Sequence, residues 1–567
     1  VRRGPLLALL AYSCVSLAIF GRDVLGDLRH AVEGSGPSSA YYGRDQSIYV
    51  WSLAHGARAL AHLRDPFLAP EVFAPAGYSL AWATSLIGPA LIAAPVTLLI
   101  GAIATYNLLA LAAPALAAWS AFLLARQVSG RSGAAFAGGL LFGFGSYESA
   151  EMVNHLTLAL VALVPLAPLL VLKRRDGQLS RRAFIVALGL VLAAQLWTAT
   201  EVFASLAMFG ALAFLLGGLL GGWRSRRAEL SQTAAETVGA LLLALLLSSP
   251  FLYYALRYPN PVSGVSARNA GVDLANFIVP TAATWLHPLG SAVARMKLRG
   301  NVTEQVGYFG LPLLAVVVIA AIELRRSVLA RLLLAFMGVA ALLALGAHAY
   351  VDGEPLGLAL PWALVGRLPL IRFATPGRFL LYAWLAVALL ISCWLARRPY
   401  APARWGAFLA IAVSLMPSLT GARWHTPVEE PRLFADAASS RRAIATGETV
   451  LALPFGIAGN SMYWQVQDAF RFRLAGGYLS ISLPAAYRPY IHLLRAFEGG
   501  PLSASAERQL CGFIRFTGTR VILLRDGAVG PWGALLDPLG VRPRTLGGFS
   551  VYELSPAGAN RRTVCAR

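Results

Sequence analysis

Apolar runs of about 20 residues, the length of a membrane-crossing helix, recur along this chain, and every second connection between them is rich in arginine. That alternation restricts the possible folds more than any motif does, because inner loops of membrane proteins collect Lys and Arg. The runs fall near 5–21, 104–125, 133–147, 156–172, 183–200, 203–221, 234–254, 306–322, 328–347, 377–396 and 405–420, eleven in all. Arg2 and Arg3 precede the first run. Arg126 and Arg131 follow the second, Lys173–Arg182 the fourth, Arg224–Arg227 the sixth, Arg325–Arg331 the eighth and Arg397–Arg404 the tenth. The expectation is a polytopic helical membrane domain with its N-terminus and these basic connections cytoplasmic.

Composition agrees. Hydrophobic residues are 57% of the chain and charged residues 13%, against about a quarter charged in soluble domains. A soluble enzyme, a disordered protein and a disulfide scaffold are excluded. The basic excess of 21 is mostly taken up by the alternating loops, so no nucleic-acid partner is needed to explain it. Segment 84–101 is apolar enough to span, but counting it would put the 173–182 cluster outside. With Pro89 and Pro95 inside it, the segment reads as an interrupted re-entrant or juxtamembrane helix on the outer side. The first run reads as an uncleaved anchor.

Eleven crossings place everything after about 421 outside. Residues 421–567 show strand-like runs at 450–455, 520–525 and 549–554 and helical runs at 433–445, 485–498 and 503–516. They read as an extracytoplasmic α/β domain following an all-α membrane domain over 1–420. Cys511 and Cys565 lie in that region, where an oxidising compartment permits a disulfide. Cys14 and Cys393 lie in spans and read as packing residues. No phosphate-binding GxxxxGK[ST] loop and no CxxC or HxxxH metal motif is present.

Acids are scarce, so their positions carry information. A long first outer loop, about 22–103, holds GRDQ with Asp45 just before an amphipathic stretch rich in Tyr and Trp. The next outer loop, GSYESAEMVNHL, holds Glu148, Glu151 and His155, and the two acids share a helical face. The turn QLWTATEVF holds Glu201. Further outer-face candidates are Asp273 and Glu304 in the 256–305 loop, and Arg372 and Arg378 in LPLIRFATPGRFLLY. Ionisable groups at membrane depth are costly without a partner or a function. A planar guanidinium suits phosphate.

Long first outer loop with an acid, amphipathic juxtamembrane region, acidic second outer loop, many spans and an outer C-terminal domain: this layout resembles the GT-C superfamily. These are integral membrane glycosyltransferases that use polyprenyl-phosphate sugars. The strings FAPAGYSLAW (73–82), NHLTLALVALVPLAPLLVL (154–172), TEQVGYFG (303–310), IRFATPGRF (371–379) and LPFGIAGNSMYWQVQD with Gly476-Gly477-Tyr478 are similar to a bacterial branch that includes lipoteichoic-acid glycosylating proteins. The first loop carries Arg-Asp-Gln where many members carry paired acids, which leaves Asp45 as the lone candidate there.

The resemblance implies a multi-pass enzyme of the bacterial plasma membrane. It would move a sugar from a polyprenyl-phosphate donor to an envelope glycan, lipid or protein acceptor, with inversion at the anomeric carbon. It implies Asp45 as the base that takes the acceptor proton, and Arg372 and Arg378 as ligands of the donor phosphate. Glu148, Glu151, His155 and Glu201 would orient the acceptor or sugar. No cofactor is required, although the carboxylates suit Mg²⁺ or Mn²⁺. The rival expectations are a lipid-linked saccharide flippase, which would more commonly show internal repeats and broken mid-membrane helices, and a non-catalytic envelope-assembly protein.

Overall fold

A computed structural model of the chain describes residues 3–34, 45–222, 227–258, 271–287, 296–300, 302–368, 371–419, 424–480 and 482–554. Arg2, Arg224, Arg226 and Cys565 lie outside the described residues. Backbone contacts divide the chain into two compact units.

The first unit comprises Val1–Gly43, Tyr106–Pro250 and Ser266–Thr426 and is helical. Six helices among the described residues are long and apolar enough to cross a membrane: Ala102–Ser129, Leu156–Arg175, Arg181–Thr198, Thr200–Gly221, Arg227–Leu247 and Pro376–Arg397. The chain is a multi-pass membrane protein. Four shorter apolar helices, Arg3–Ile19, Gly310–Glu323, Val328–Ala344 and Pro402–Leu415, occupy four of the remaining runs. The run at 133–147 differs from its expected form. It gives a helix Ser132–Gly143 of 12 residues, after which the extended backbone of Gly145 starts a separate turn, Ser146–Glu151. A Cβ at Gly143 would overlap Pro114 O and one at Gly145 would overlap Leu141 O, so glycine at both places allows the close packing around this break.

The core of this unit is the helix Leu380–Arg397, buried along most of its length. It packs on Ser132–Gly143, Val328–Ala344 and Gly310–Glu323. A Cβ at Gly138 would overlap Ser392 Oγ and Ala388 O, so glycine there lets two helix backbones approach closely. The basic helix ends carry acids as well, several of them paired with arginines. Arg174 donates to both oxygens of Glu236 at 2.7 and 2.8 Å, Arg175 Nε donates to Glu229 at 2.6 Å, and Arg404 donates to Glu323. A two-stranded hairpin joins His348–Val351 to Glu354–Ala359. Its two-residue turn, Asp352-Gly353, has both φ values positive, 54° and 81°, the conformation for which Asp-Gly is suited.

The second unit comprises Arg44–Thr105, Phe251–Val265 and Pro427–Arg567. Its first helix, Asp45–Ala61, is buried on most of its surface. The apolar segment 84–101 forms two short helices, Ile87–Ile92 of 6 residues and Ala94–Ile100 of 7. At 1.5 Å per residue each extends only about 10 Å, far short of a crossing. Pro95 near the start of the second allows the break, since proline there loses no helical hydrogen bond. Ile92 and Leu99 are 83% and 81% exposed, as lipid-facing side chains are.

A five-stranded mixed sheet organises the rest, in the order Arg544–Leu546, Phe549–Glu553, Thr519–Arg525, Thr449–Leu453, Arg473–Leu474. The central pair is parallel, with Leu451 beside Ile522 and Leu453 beside Leu524. The helix Ala504–Thr517 leads directly into strand Thr519–Arg525, ending on left-handed Gly518. Residues from Pro427 on share this unit with Arg44–Thr105, a division different from a boundary at 421. Backbone hydrogen bonds are the reason: Phe73 N–H donates to Gly476 O at 2.8 Å, Ala74 N–H to Leu474 O at 2.9 Å and Thr84 N–H to Leu479 O at 2.8 Å. Cys511 is disulfide-bonded, while Cys14 and Cys393 are free.

Candidate functional site

In the first unit the short helix Ser146–Glu151 carries the two second-loop acids into the interior. Ser146 Oγ donates to Tyr308 O at 2.6 Å and fixes its start. Glu148 and Glu151 are both fully buried. Among the described residues, neither carboxylate oxygen of Glu148 has a hydrogen-bond partner. Glu151 Oε2 lies 2.7 Å from His155 Nδ1.

A third carboxylate joins them. Glu33 is fully buried with both oxygens unpartnered. Its backbone is fixed from the start of the second crossing, where Asn107 Oδ1 accepts from Glu33 N–H at 2.8 Å and Tyr106 OH donates to Glu33 O at 3.2 Å. Gly34 follows with φ +91°, and a Cβ there would overlap Val153 O. That close approach presses the Glu33 turn against the end of the Glu148–His155 segment. Burial pushes the Glu148 carboxyl well above the usual carboxylate range, and negative charge on Glu151 and Glu33 pushes the same way. Burial alone pushes Glu33 up. For Glu151, burial raises and His155 opposes.

Glu201, Glu304 and Arg378 form a second cluster in the same unit. Arg378 Nη1 donates to Glu201 Oε2 at 2.6 Å, and Nη2 donates to Glu304 Oε1 at 2.8 Å. Thr375 N–H donates to Glu201 Oε1 at 3.0 Å. Arg378 also acts on Glu151 through space. Both terminal nitrogens of Arg378 are therefore engaged by carboxylates, and a phosphate there would have to compete with them. Arg372, on the 3₁₀ turn Ile371–Phe373, is exposed and lies outside this pair of bonds. Asp273 has a structural place. Its buried carboxylate accepts from Ala275 N–H at 2.9 Å and from the hairpin-turn N–H groups of Asp352 and Gly353 at 3.0 and 2.8 Å.

In the second unit Asp45 is the first residue of the helix Asp45–Ala61. Its Oδ1 accepts from Tyr478 OH at 2.6 Å. One and a half turns on, Trp51 Nε1 donates to Gln465 Oε1 at 2.7 Å.

Of the residues named from sequence, the structure thus brings together Glu148, Glu151 and His155, and separately Glu201, Glu304 and Arg378, while Asp273 is engaged elsewhere. The sequence reading groups Glu201 with the first set and Arg378 with Arg372, and it misses Glu33, whose only sequence signal is a single acid in the apolar turn Ala31-Val32-Glu33-Gly34. Among the described residues no three His, Cys, Asp or Glu side chains are placed to hold a metal ion by themselves. A cation at Glu148 or Glu151 would need phosphate or water oxygens to complete its shell, as Mg²⁺ ordinarily does.

The fold is similar to that of solved glycosyltransferase structures. Among solved structures the chain is similar to the arabinofuranosyltransferase AftD from Mycobacteria, with a TM-score of 0.62 and 14% identity over 98% of this chain and 40% of that one. It is also similar to the archaeal oligosaccharyltransferase AglB from Archaeoglobus fulgidus, solved with an inhibitory peptide and a dolichol-phosphate. There the TM-score is 0.55 and the identity 12%, over 99% of this chain and 75% of that one. At these identities the likeness is one of fold, and this chain spans well under half the length of AftD. No protein-family model and no curated protein matches the chain.

Proposed function

We propose that this protein is an inverting glycosyltransferase that moves a sugar from a polyprenyl-phosphate donor to an envelope acceptor on the outer face of a bacterial plasma membrane. The carrying observation is Glu148, a fully buried carboxyl group with neither oxygen bonded. Burying such a group costs several kcal/mol in order of magnitude, a cost that substrate hydroxyls or a cation would offset. At the basic helix ends, by contrast, Glu236, Glu229 and Glu323 are paired with arginines and Asp176 with Gln127.

In this reading Asp45 takes the acceptor proton as the hydroxyl attacks the anomeric carbon. The bond from that carbon to the phosphate oxygen breaks, and the lipid phosphate leaves with the electron pair. Arg372, exposed at the start of its segment, binds the donor phosphate. Arg378 is held by two acids and serves chiefly to fix Glu201 and Glu304. Glu148, Glu151 and His155 orient sugar or acceptor hydroxyls. A Mg²⁺ or Mn²⁺ held by those carboxylates would neutralise the leaving phosphate. The topology that fits is eleven crossings, a cytoplasmic N-terminus and residues 421–567 outside.

The test is incubation of the purified protein in lipid nanodiscs with a panel of radiolabelled polyprenyl-phosphate sugars and envelope acceptors. Transfer that disappears with Glu148→Gln supports the reading. Movement of a lipid-linked sugar across vesicles without transfer would make the protein a flippase. Neither activity, with donors bound by no panel member, would leave the assembly role standing and remove the enzyme.

A further inference from the structure

We propose that Tyr478 is the positioning residue of the first-loop carboxylate, its phenol fixing the orientation of Asp45. This inference rests on the assignment of Asp45 as the acceptor base.

The two residues are 433 positions apart, yet Tyr478 OH donates to Asp45 Oδ1 at 2.6 Å. The phenol has little freedom. Its ring is 8% exposed. Its backbone N–H donates to Met462 Sδ at 3.4 Å. The preceding Gly477, at φ +145°, has Val72 Cβ 3.2 Å from where its own Cβ would stand, and a Cβ at Gly476 would enter the Phe455 ring. Two glycines in succession therefore let the chain turn tightly enough to deliver the Tyr478 hydroxyl to the helix N-terminus.

The helix is fixed a second time by the same region. Gln465 Nε2 donates to Glu71 O at 2.9 Å and Phe472 O at 3.0 Å, which commits its Oε1 to accept from Trp51 Nε1. With Tyr478 at Asp45 and Gln465 at Trp51, neither rotation nor sliding of this helix is possible without breaking a buried hydrogen bond.

The phenol is a permanent donor. Burial pushes its hydroxyl far above the usual tyrosine range, and the negative charge of Asp45 adds to that, as do Tyr49 and Glu498. Tyr49 lies one helical turn on from Asp45. Glu498 closes the helix Ile491–Phe497, and its own carboxyl is raised by burial and drawn back by Arg495. The helices Ile87–Ile92 and Ala94–Ile100, which pack on Asp45–Ala61, bring no ionisable side chain. Tyr478 therefore transfers no proton itself. A hydrogen bond donated to a carboxylate favours the charged form, the form a general base needs.

The test is Tyr478→Phe in the full chain, assayed in nanodiscs across pH. Turnover should fall about tenfold, the loss of one charge-assisted hydrogen bond, with donor KM within about twofold. The acidic limb of the pH–rate profile should move to higher pH. Incorporation of 3-fluorotyrosine and 3,5-difluorotyrosine at 478 keeps the packing and strengthens the donor, so the limb should move to lower pH in that order. If the limb stays in place in the phenylalanine variant and the fluorinated series, Tyr478 is a structural contact only and the inference is overturned. Should Tyr478→Phe fail to fold, the fluorinated series decides alone. Asp45→Asn separates the two levels. Wild-type turnover in that variant removes the base assignment itself, whereas an inactive Asp45→Asn beside an unmoved limb removes only the role of Tyr478.

Discussion

His155 grips Glu151 across one helical turn: its Nδ1 lies 2.7 Å from Glu151 Oε2, and its backbone N–H donates to Glu151 O at 2.7 Å. Burial pushes the Glu151 carboxyl up, and His155, with Arg378, pulls it back. His155→Ala removes part of that counterweight. Transfer at pH 7 should fall by roughly 10–100-fold, the usual cost of losing an orienting partner, and should partly recover at higher pH as Glu151 ionises. A pH–rate profile identical to that of the wild type would show that His155 tunes nothing.

Glu148 predicts the pH dependence of stability. Its folded carboxyl titrates above the ordinary value of 4.5, so folding favours the protonated form. The corresponding stability is present below that ordinary value and is lost as pH rises through the folded one. Thermal melts in detergent should therefore decline between weakly acidic and weakly alkaline pH. Glu148→Gln should flatten that slope and raise the melting temperature at pH 8 by roughly 2 °C or more. Glu33→Gln should act in the same direction, since it too is raised by burial.

The two arginines of IRFATPGRF should separate by phenotype. Arg378→Ala removes the guanidinium that bridges Glu201 and Glu304, a partly buried cluster whose one-sided loss should cost less than the ~3–5 kcal/mol of a fully buried pair. It should appear as a lowered melting temperature, partly restored by adding Glu201→Gln. Arg372→Lys should leave the melt unchanged and weaken donor binding, because the ammonium lacks the two-pronged fork. Equal melting losses in both variants would contradict the division of roles.

Asp45→Asn keeps size and removes basicity. Turnover should fall by ~10²–10⁴ with donor binding retained. Near-wild-type turnover in a well-folded protein would pass the role to Glu148 or Glu151.

Membrane orientation is testable with single cysteines on a Cys-free background. Gln178 lies in an exposed turn beside the 173–182 basic cluster, and Val529 is 89% exposed in the C-terminal region. An impermeant thiol reagent applied to intact cells should label position 529 and spare 178. The reverse pattern would invert the topology.

Much of the helical fold is legible because its cause is local. An apolar run dictates a helix wherever it lies, and the run at 104–125 is the helix Ala102–Ser129 while that at 183–200 is Arg181–Thr198. The strand-like runs at 520–525 and 549–554 coincide with Thr519–Arg525 and Phe549–Glu553 for the same reason. Helix ends were less legible: Gly143-Phe144-Gly145 stops a helix inside an unbroken apolar run. The site's residue types and loops are readable, but its pairings are not. Glu201 chooses Arg378 over Arg372, Glu33 reaches the Glu148 segment, and Asp45 meets Tyr478 across 433 positions. Each depends on chain closure that no local pattern encodes. Asp273 shows the converse, an acid singled out for its loop whose carboxylate is engaged by backbone N–H groups.

The Asp352-Gly353 hairpin extends that last observation into mechanics. Every residue of its strand Glu354–Ala359 is exposed, the outline of a movable flap. Its tip, however, is moored: Asp273 takes both turn N–H groups, and Asp352 Oδ1 accepts from Lys297 N–H at 2.6 Å. Three residues separate its first strand from the helix Val328–Ala344. A ribbon held at its tip and at its base behaves as a strap rather than as a hinged flap.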